Sequence, residues 1–418
     1  MRWIYSFLIY IYVFVVRIVA LFGNKKAKLW IKGRQNLESL YRAKFEHEES
    51  DKYIWIHVSS LGEFEQGRPV IEILKKNNPN QKILLTFFSP SGYEIRKNYP
   101  LADVVLYLPF DSLNKMRKFV KIVRPALVVF VKYDFWFNFI TACHEINTPV
   151  IFISAAFRKK QYFFKWWAGW FRKQLMKVTA FFVQTPDSVA LLNAHGINQV
   201  EFAGDTRLDR VIAIRDEQRT FPAIEKLIAG RKVFVAGSTW PRDEQFLKHL
   251  TIANPDVFFI VAPHDVSENR LREIEKVFGG KKIRFSQLEN SSLSDCNFLL
   301  IDSIGILSSI YRYATIVYIG NGFGKGIHNI LEPVVFGKPV IFGPNYSKFT
   351  EAVTLVKTGG AFSFSESSDL EKKVAGLLGN ETTLNEASQV CLNYVEHNKG
   401  ATDKIVNKIL EFESFKKQ

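Results

Sequence analysis

Along most of the chain, short continuous apolar runs alternate with amphipathic stretches. "KILLTFFS", "DVVLYLPF", "ALVVFVKY", "PVIFISAAF" and "VTAFFVQT" are rich in Val, Ile and Phe, and helical patterns such as "LNKMRKFVKIVRP" and "PDSVALLNAHGI" lie between them. Runs that are apolar on both faces and spaced by helices predict a parallel sheet covered on both sides. The pattern lapses over residues 206–230, "TRLDRVIAIRDEQRTFPAIEKLIAG", which reads as polar and helical. It restarts with "KVFVAGST", "VFFIVAP", "NFLLIDS", "TIVYIGNG" and "KPVIFGP". The expected architecture is α/β, with two doubly wound, Rossmann-like domains over 25–205 and 231–385. A linker joins them over 206–230, and a C-terminal helix follows over 386–418. A length of 418 residues fits two domains better than one core.

The N-terminus breaks this rhythm. "WIYSFLIYIYVFVVRIVALF", residues 3–22, is apolar and aromatic apart from Ser6 and Arg17. As a helix it is roughly 30 Å long, the thickness of a bilayer core. Residues 1–24 are therefore expected to be a membrane anchor, with Arg17 snorkelling to the headgroups. Lys25, Lys26, Lys28, Lys32 and Arg34 follow as a basic collar for anionic lipid on a cytoplasmic face. The run is too long for a signal peptide, and no small-residue cleavage site follows it. Its length fits both a spanning helix and one lying in a single leaflet.

Charge points the same way. Lys and Arg total 56 against 41 acidic residues, a net +15, which implies polyanionic partners. The stretch "RKKQYFFKWWAGWFRKQL", residues 158–175, interleaves cations with aromatic rings. Beside an anchor, that pattern favours contact with headgroups or a phosphorylated lipid over nucleic acid. Three scattered cysteines argue against a disulfide framework, and without an HExxH or clustered Cys/His spacing no metal is expected.

Doubly wound sheets bind ligands beyond the carboxyl ends of their strands, and the unusual residues lie there. "HVSSLGEFEQGRP", residues 57–69, carries Glu63 in the first turn of a helix. Two readings compete. A carboxylate there complements the helix dipole and merely caps it, with Gly62 easing the turn. Alternatively Glu63 is a general base, which needs apolar neighbours such as Leu61 and Phe64 to disfavour its charge. In the second half, "GNGFGKGIHNILEP", residues 320–333, places four glycines after a strand. Their N–H groups can approach a phosphate, and Asn329 and Glu332 share one face at the start of a helix. "APHD" (262–265) and "DSIG" (302–305) also end strands.

Taken in order, "SLGE", "GDTRLD", "GST", "APH", "HNILEP" and "FGKPVIFGPNYSKF" resemble the 3-deoxy-D-manno-octulosonic acid (Kdo) transferases of Gram-negative bacteria. The resemblance runs from the anchor to about residue 400. It implies a GT-B glycosyltransferase whose acceptor-binding and nucleotide-sugar-binding domains face a central cleft. The implied reaction moves Kdo from CMP-Kdo to the lipid A precursor (lipid IVA), with inversion, at the cytoplasmic face of the inner membrane. No metal, other cofactor or nucleic acid is expected to take part. Glu63 matches the catalytic base, and Arg207 stands where the family usually has a Lys that stabilises the transition state. In "KYDFW", residues 132–136, Lys132 replaces a stabilising acid while Asp134 keeps the second carboxylate. Pro263 and His264, the turn Ile304, Gly305 and Ile306, and the run Asn329, Ile330, Leu331 and Glu332 match CMP-contacting positions. Pro263 stands for an Arg of the family and Ile306 for a Glu. The rival readings are another membrane-associated GT-B enzyme with a different nucleotide sugar, and a non-catalytic, membrane-tethered nucleotide-sugar-binding protein.

Overall fold

The computed structural model describes residues 1–47, 53–228, 230–290 and 296–416. The chain divides into two units, Met1–Asp209 with Gly400–Gln418, and Arg210–Lys399.

The first unit is built on a parallel sheet of β1 (Tyr53–Val58), β2 (Lys82–Phe87), β3 (Val104–Tyr107), β4 (Leu127–Val131), β5 (Val150–Ala155), β6 (Ala180–Val183) and β7 (Val200–Phe202). Its order is β3-β2-β1-β4-β5-β6-β7. Trp55 of β1 sits opposite Leu84 of β2 and Val128 of β4. Ile54, Ile56 and Val58 join one core, with Leu85, Val129 and Ile151; Tyr53 and Trp55 join the other, with Leu84, Val128 and Phe152. Both faces are covered, which is why the strand pattern runs apolar without alternating. The Leu61–Asn77 helix covers the first face through Phe64, Val70, Ile71 and Leu74.

The expected C-terminal helix over 386–418 is two helices, Glu381–Asn398 and Ala401–Lys416. Gly400 separates them at φ 88°, a left-handed conformation that a side chain resists. The division between units falls on either side of it, and Ile405, Val406 and Ile409 of the last helix pack into the first unit's core. Asp209 holds that return, accepting from the N–H groups of Gly400 and Thr402, both at 2.6 Å. Residues 206–230 contain the helices Thr206–Asp216 and Pro222–Ile228, and the unit boundary falls inside the first of these.

The Arg2–Leu21 helix is the one helix among the described residues long and apolar enough to cross a membrane. Only Val13 and Ala20 of it are buried, and Trp3 is 88% exposed. One side nonetheless docks on the first unit. The Tyr5 hydroxyl donates to Asp111 at 2.5 Å, and the Tyr12 ring lies 6.0 Å from both Trp30 and Phe88. The basic–aromatic stretch 158–175 splits in two. Phe163 is buried and Trp170 packs 5.5 Å from Phe137, while Trp166 is 91% exposed.

The second unit repeats the plan with β8 (Val233–Thr239), β9 (Phe258–Pro263), β10 (Lys282–Arg284), β11 (Phe298–Leu300), β12 (Ile316–Ile319), β13 (Val340–Phe342) and β14 (Ala361–Ser363). These strands are parallel, in the order β10-β11-β9-β8-β12-β13-β14. In each sheet the strand order reverses beside a central strand, at β1/β4 and at β8/β12. Those two switch points are where such sheets bind ligands.

Candidate active site

At the β1/β4 switch point, the turn after β1 brings Ser59, Ser60 and Glu63 beside Lys132 and Asp134, which follow β4. Ser60 precedes the Leu61–Asn77 helix, and its hydroxyl donates to the Glu63 carboxylate instead of capping the backbone. Gly62 takes an ordinary helical position with Ser60 Oγ 3.7 Å from a notional Cβ, so the turn does not require glycine. Phe64 turns away into the core, 4.9 Å from the Tyr99 ring.

Asp134 is the most perturbed carboxyl here. Burial pushes its pKa from 3.8 up to about 7; hydrogen bonds from Ser59 pull against burial, and the charge of Glu63 adds to it. Its Oδ2 is buried with no hydrogen-bond partner among the described residues. His57 lies 3.7 Å away, but the pair is not an ion pair. Burial holds the imidazole pKa down to about 3, against a backbone hydrogen bond to Thr86. The Trp136 indole donates to His57 Nε2 at 3.1 Å, so the ring proton sits on Nδ1 and reaches Thr86. A neutral imidazole whose Nε2 is occupied contributes no charge.

Arg207 follows β7 in "GDTR". Its guanidinium donates to Asp205 at 2.6 Å and 3.0 Å. Burial alone would raise the Asp205 pKa, but the charge and hydrogen bonds of Arg207, with Lys132 behind them, hold it low. Lys132 and Arg207 therefore flank a single ionised Asp205. Lys132 itself has φ 69°, the left-handed region, which turns the chain sharply at the end of β4. Nearby, Thr206 Oγ1 donates to the Gln66 carbonyl at 2.6 Å, and the buried Gln66 amide has no side-chain partner among the described residues.

The β8/β12 switch point carries the donor-side candidates. After β8, Trp240 stacks on His264, with centroids 4.9 Å apart, and His264 stacks on His328 at 4.7 Å. The Trp240 indole donates to His328 Nε2 at 3.1 Å, and burial, with His264 next, holds the His328 pKa down to about 4. Pro263 ends β9 buried, and His264 beside it is exposed. Ile304 and Gly305 are exposed after β11, Gly305 at φ 89°, whereas Ile306 is buried and opens a helical turn. Asn329 donates to Glu332 at 3.2 Å and accepts from the Leu331 N–H at 3.2 Å. Ile330 and Leu331 are buried beneath that turn. The helix expected after the glycine loop is only Leu331–Val334. One turn has little dipole, so an anion there would be held by the loop's own N–H groups. The loop does come close to its neighbours: a Cβ on Gly320 would lie 2.2 Å from Ser238 O, and one on Gly322 2.4 Å from Gly343 N.

The structure thus gathers Glu63, Lys132, Asp134 and Arg207 at the strand ends of the first sheet, and residues 263–264, 304–306 and 329–332 at those of the second. Sequence reasoning missed His57, Gln66, Trp136, Asp205, Trp240 and His328. All six lie in or beside quoted motifs: His57 and Gln66 in "HVSSLGEFEQGRP", Trp136 at the end of "KYDFW", Asp205 inside "GDTRLD", Trp240 after "GST", and His328 at the start of "HNILEP".

Two parallel, doubly wound α/β units, each with a polar cluster at its switch point, are the architecture of the GT-B fold. A family profile described as 3-deoxy-D-manno-octulosonic-acid transferase matches residues 35–210. The chain is 25% identical to the 3-deoxy-D-manno-octulosonic acid transferase of Rickettsia typhi, over 93% of this chain and 85% of that one. It is 28% identical to a bifunctional glycosyltransferase/methyltransferase of Fusobacterium nucleatum, over 79% of this chain; the match spans 52%, about half, of that relative. Among solved structures, the UDP-GlcNAc 2-epimerase of Neisseria meningitidis shares the fold with a TM-score of 0.60 and 17% identity, over 86% of this chain and 100% of the other. Over most of its length the chain is thus similar in sequence to Kdo transferases.

Proposed function

We propose that the protein transfers Kdo from CMP-Kdo to the glucosamine hydroxyl of the lipid A precursor at the cytoplasmic face of the inner membrane. The observation that carries this reading is the carboxyl pair at the β1/β4 switch point, Glu63 and Asp134, beside the cations Lys132 and Arg207. Glu63 removes the acceptor's proton as its oxygen attacks the anomeric carbon. Burial favours the neutral form of Asp134, which lessens the repulsion between the two carboxyls. Lys132 and Arg207 stabilise the charge that develops during transfer. On the donor side, Asn329 orients Glu332 toward the ribose hydroxyls, and the loop N–H groups of 320–326 receive the departing phosphate. Pro263, His264 and residues 304–306 line the nucleotide. Attack opposite the leaving CMP gives inversion. In this reading these groups work without a metal.

The test is incubation of the purified full chain with CMP-Kdo and the lipid A precursor, with mass spectrometry of the lipid. A gain of Kdo mass is expected. An unmodified lipid, with another nucleotide sugar consumed instead, would overturn the donor assignment.

A further inference from the structure

We propose that a cavity at the root of the N-terminal helix binds the phosphate group of a membrane lipid. The inference rests on the reading of the Arg2–Leu21 helix as membrane-embedded.

The cavity holds about 300 Å³ and lies among the Arg2–Leu21 helix, the Lys25–Lys32 helix and the start of the Leu113–Val123 helix. Arg17, Arg34, Lys115 and Lys118 line it with one carboxylate, Glu38. That carboxylate is already engaged by Lys118 at 2.6 Å and Arg42 at 3.2 Å. Arg34 donates to three carbonyls, of Phe88 at 2.8 Å, Leu108 at 2.9 Å and Trp30 at 3.1 Å, and lies 4.0 Å over the Trp30 ring. These carbonyls take three of its five N–H donors and bring no negative charge to balance it. Burial pushes the Arg34 pKa down to about 9, and Lys115 is lowered by burial and then by Arg17. Both cations gain from an anion placed among them.

A second observation points to a ligand. Trp30 is 6% exposed, lines the cavity, and its indole N–H has no acceptor among the described residues. A buried donor without a partner costs about 1–3 kcal/mol. A tetrahedral phosphate supplies acceptors for the indole and the cations together. Arg17, carried by the anchor helix near its C-terminal end, sets the cavity at headgroup depth, where lipid phosphates lie.

The experiment titrates the detergent-solubilised full chain with short-chain phosphatidic acid by calorimetry. Saturable binding near one per chain is expected. Lys115→Gln should weaken it about fivefold, the effect of one cation beside a lipid phosphate. Trp30→Phe, which keeps an aromatic ring and removes the donor, should weaken it also. Lys25→Gln, in the exposed collar, should not. No saturable binding by the natural chain, or equal losses from Lys25→Gln and Lys115→Gln, would overturn the site in favour of diffuse attraction. The source of the phosphate is read separately in the transfer assay. A raised KM for the lipid acceptor in Lys115→Gln assigns the phosphate to the acceptor. An unchanged KM with weakened phosphatidic acid binding assigns it to surrounding phospholipid. Binding is measured without turnover, so an inactive transferase still reports on the cavity.

Discussion

Glu63 and Asp134 show how two like groups take different tasks from their surroundings. Asp134 is buried beside a neutral His57 and a second carboxylate, so its proton stays on to about pH 7. Glu63 sits in the first turn of a helix, held by the Ser60 hydroxyl. Replacing Glu63 with Gln should lower kcat by about 10²–10⁴-fold, the usual worth of a general base, with CMP affinity kept. Isotope-exchange or product-mass assays at saturating donor would read it, and normal turnover would reassign the base. Asp134 makes a separate prediction about stability. Below its ordinary 3.8 the carboxyl is protonated in both folded and unfolded chains. Between 3.8 and about 7 the unfolded chain ionises while the folded one does not, so stability falls as pH rises through that window. Asp134→Asn should therefore raise stability at pH 8 more than at pH 5, a difference of at most ~3 kcal/mol seen as a larger gain in Tm. Equal shifts at the two values would mean that burial does not set this proton.

At the scale of elements, the glycine loop after β12 is held by backbone approach. Gly322 and Gly343 pass so closely that a methyl group on Gly322 would meet the Gly343 N and Cα at 2.4 Å and 2.7 Å. Gly322→Ala should cost about 1–3 kcal/mol and weaken CMP binding, seen by urea unfolding and CMP calorimetry. Wild-type values in both would mean the loop opens without strain. The run "GNGFG" announced a close approach, but not which backbone it approaches, since Gly343 lies beyond the next strand. The short Leu331–Val334 helix was also beyond the pattern. "HNILEPVVFG" reads as a longer helix by propensity, yet the chain turns at Gly337 with φ 66°.

At the scale of the molecule, the N-terminal helix is part of the first unit's fold. Tyr5 donates to Asp111, whose carboxylate also accepts from the Asn138 N–H at 3.0 Å and the Phe139 N–H at 2.8 Å. Deleting residues 2–22 should abolish flotation with anionic vesicles and also lower Tm, because Tyr5 and Tyr12 leave packed positions. A flexible tether would leave Tm unchanged, so differential scanning fluorimetry in detergent separates the two. Docked in this way the helix lies against its domain, with Trp3, Phe7 and Phe14 exposed on its other side.

The amino-acid pattern by itself determined the two parallel sheets, the apolar helix at the start and the strand ends where chemistry would lie. Burial on both faces writes itself into continuous apolar runs, and a long, outward-facing apolar helix writes itself into an unbroken apolar stretch. Strand order is different, because residues far apart in sequence become neighbours only through the crossovers. That β4 pairs with β1, bringing Asp134 to Glu63, was decided by the tertiary structure. The same is true of the neutral His57 under Trp136, the Trp240–His264–His328 stack, and the last helix returning to the first unit at Asp209. Each of these depends on burial and hydrogen bonding between separate elements, for which a linear pattern carries no periodic signal.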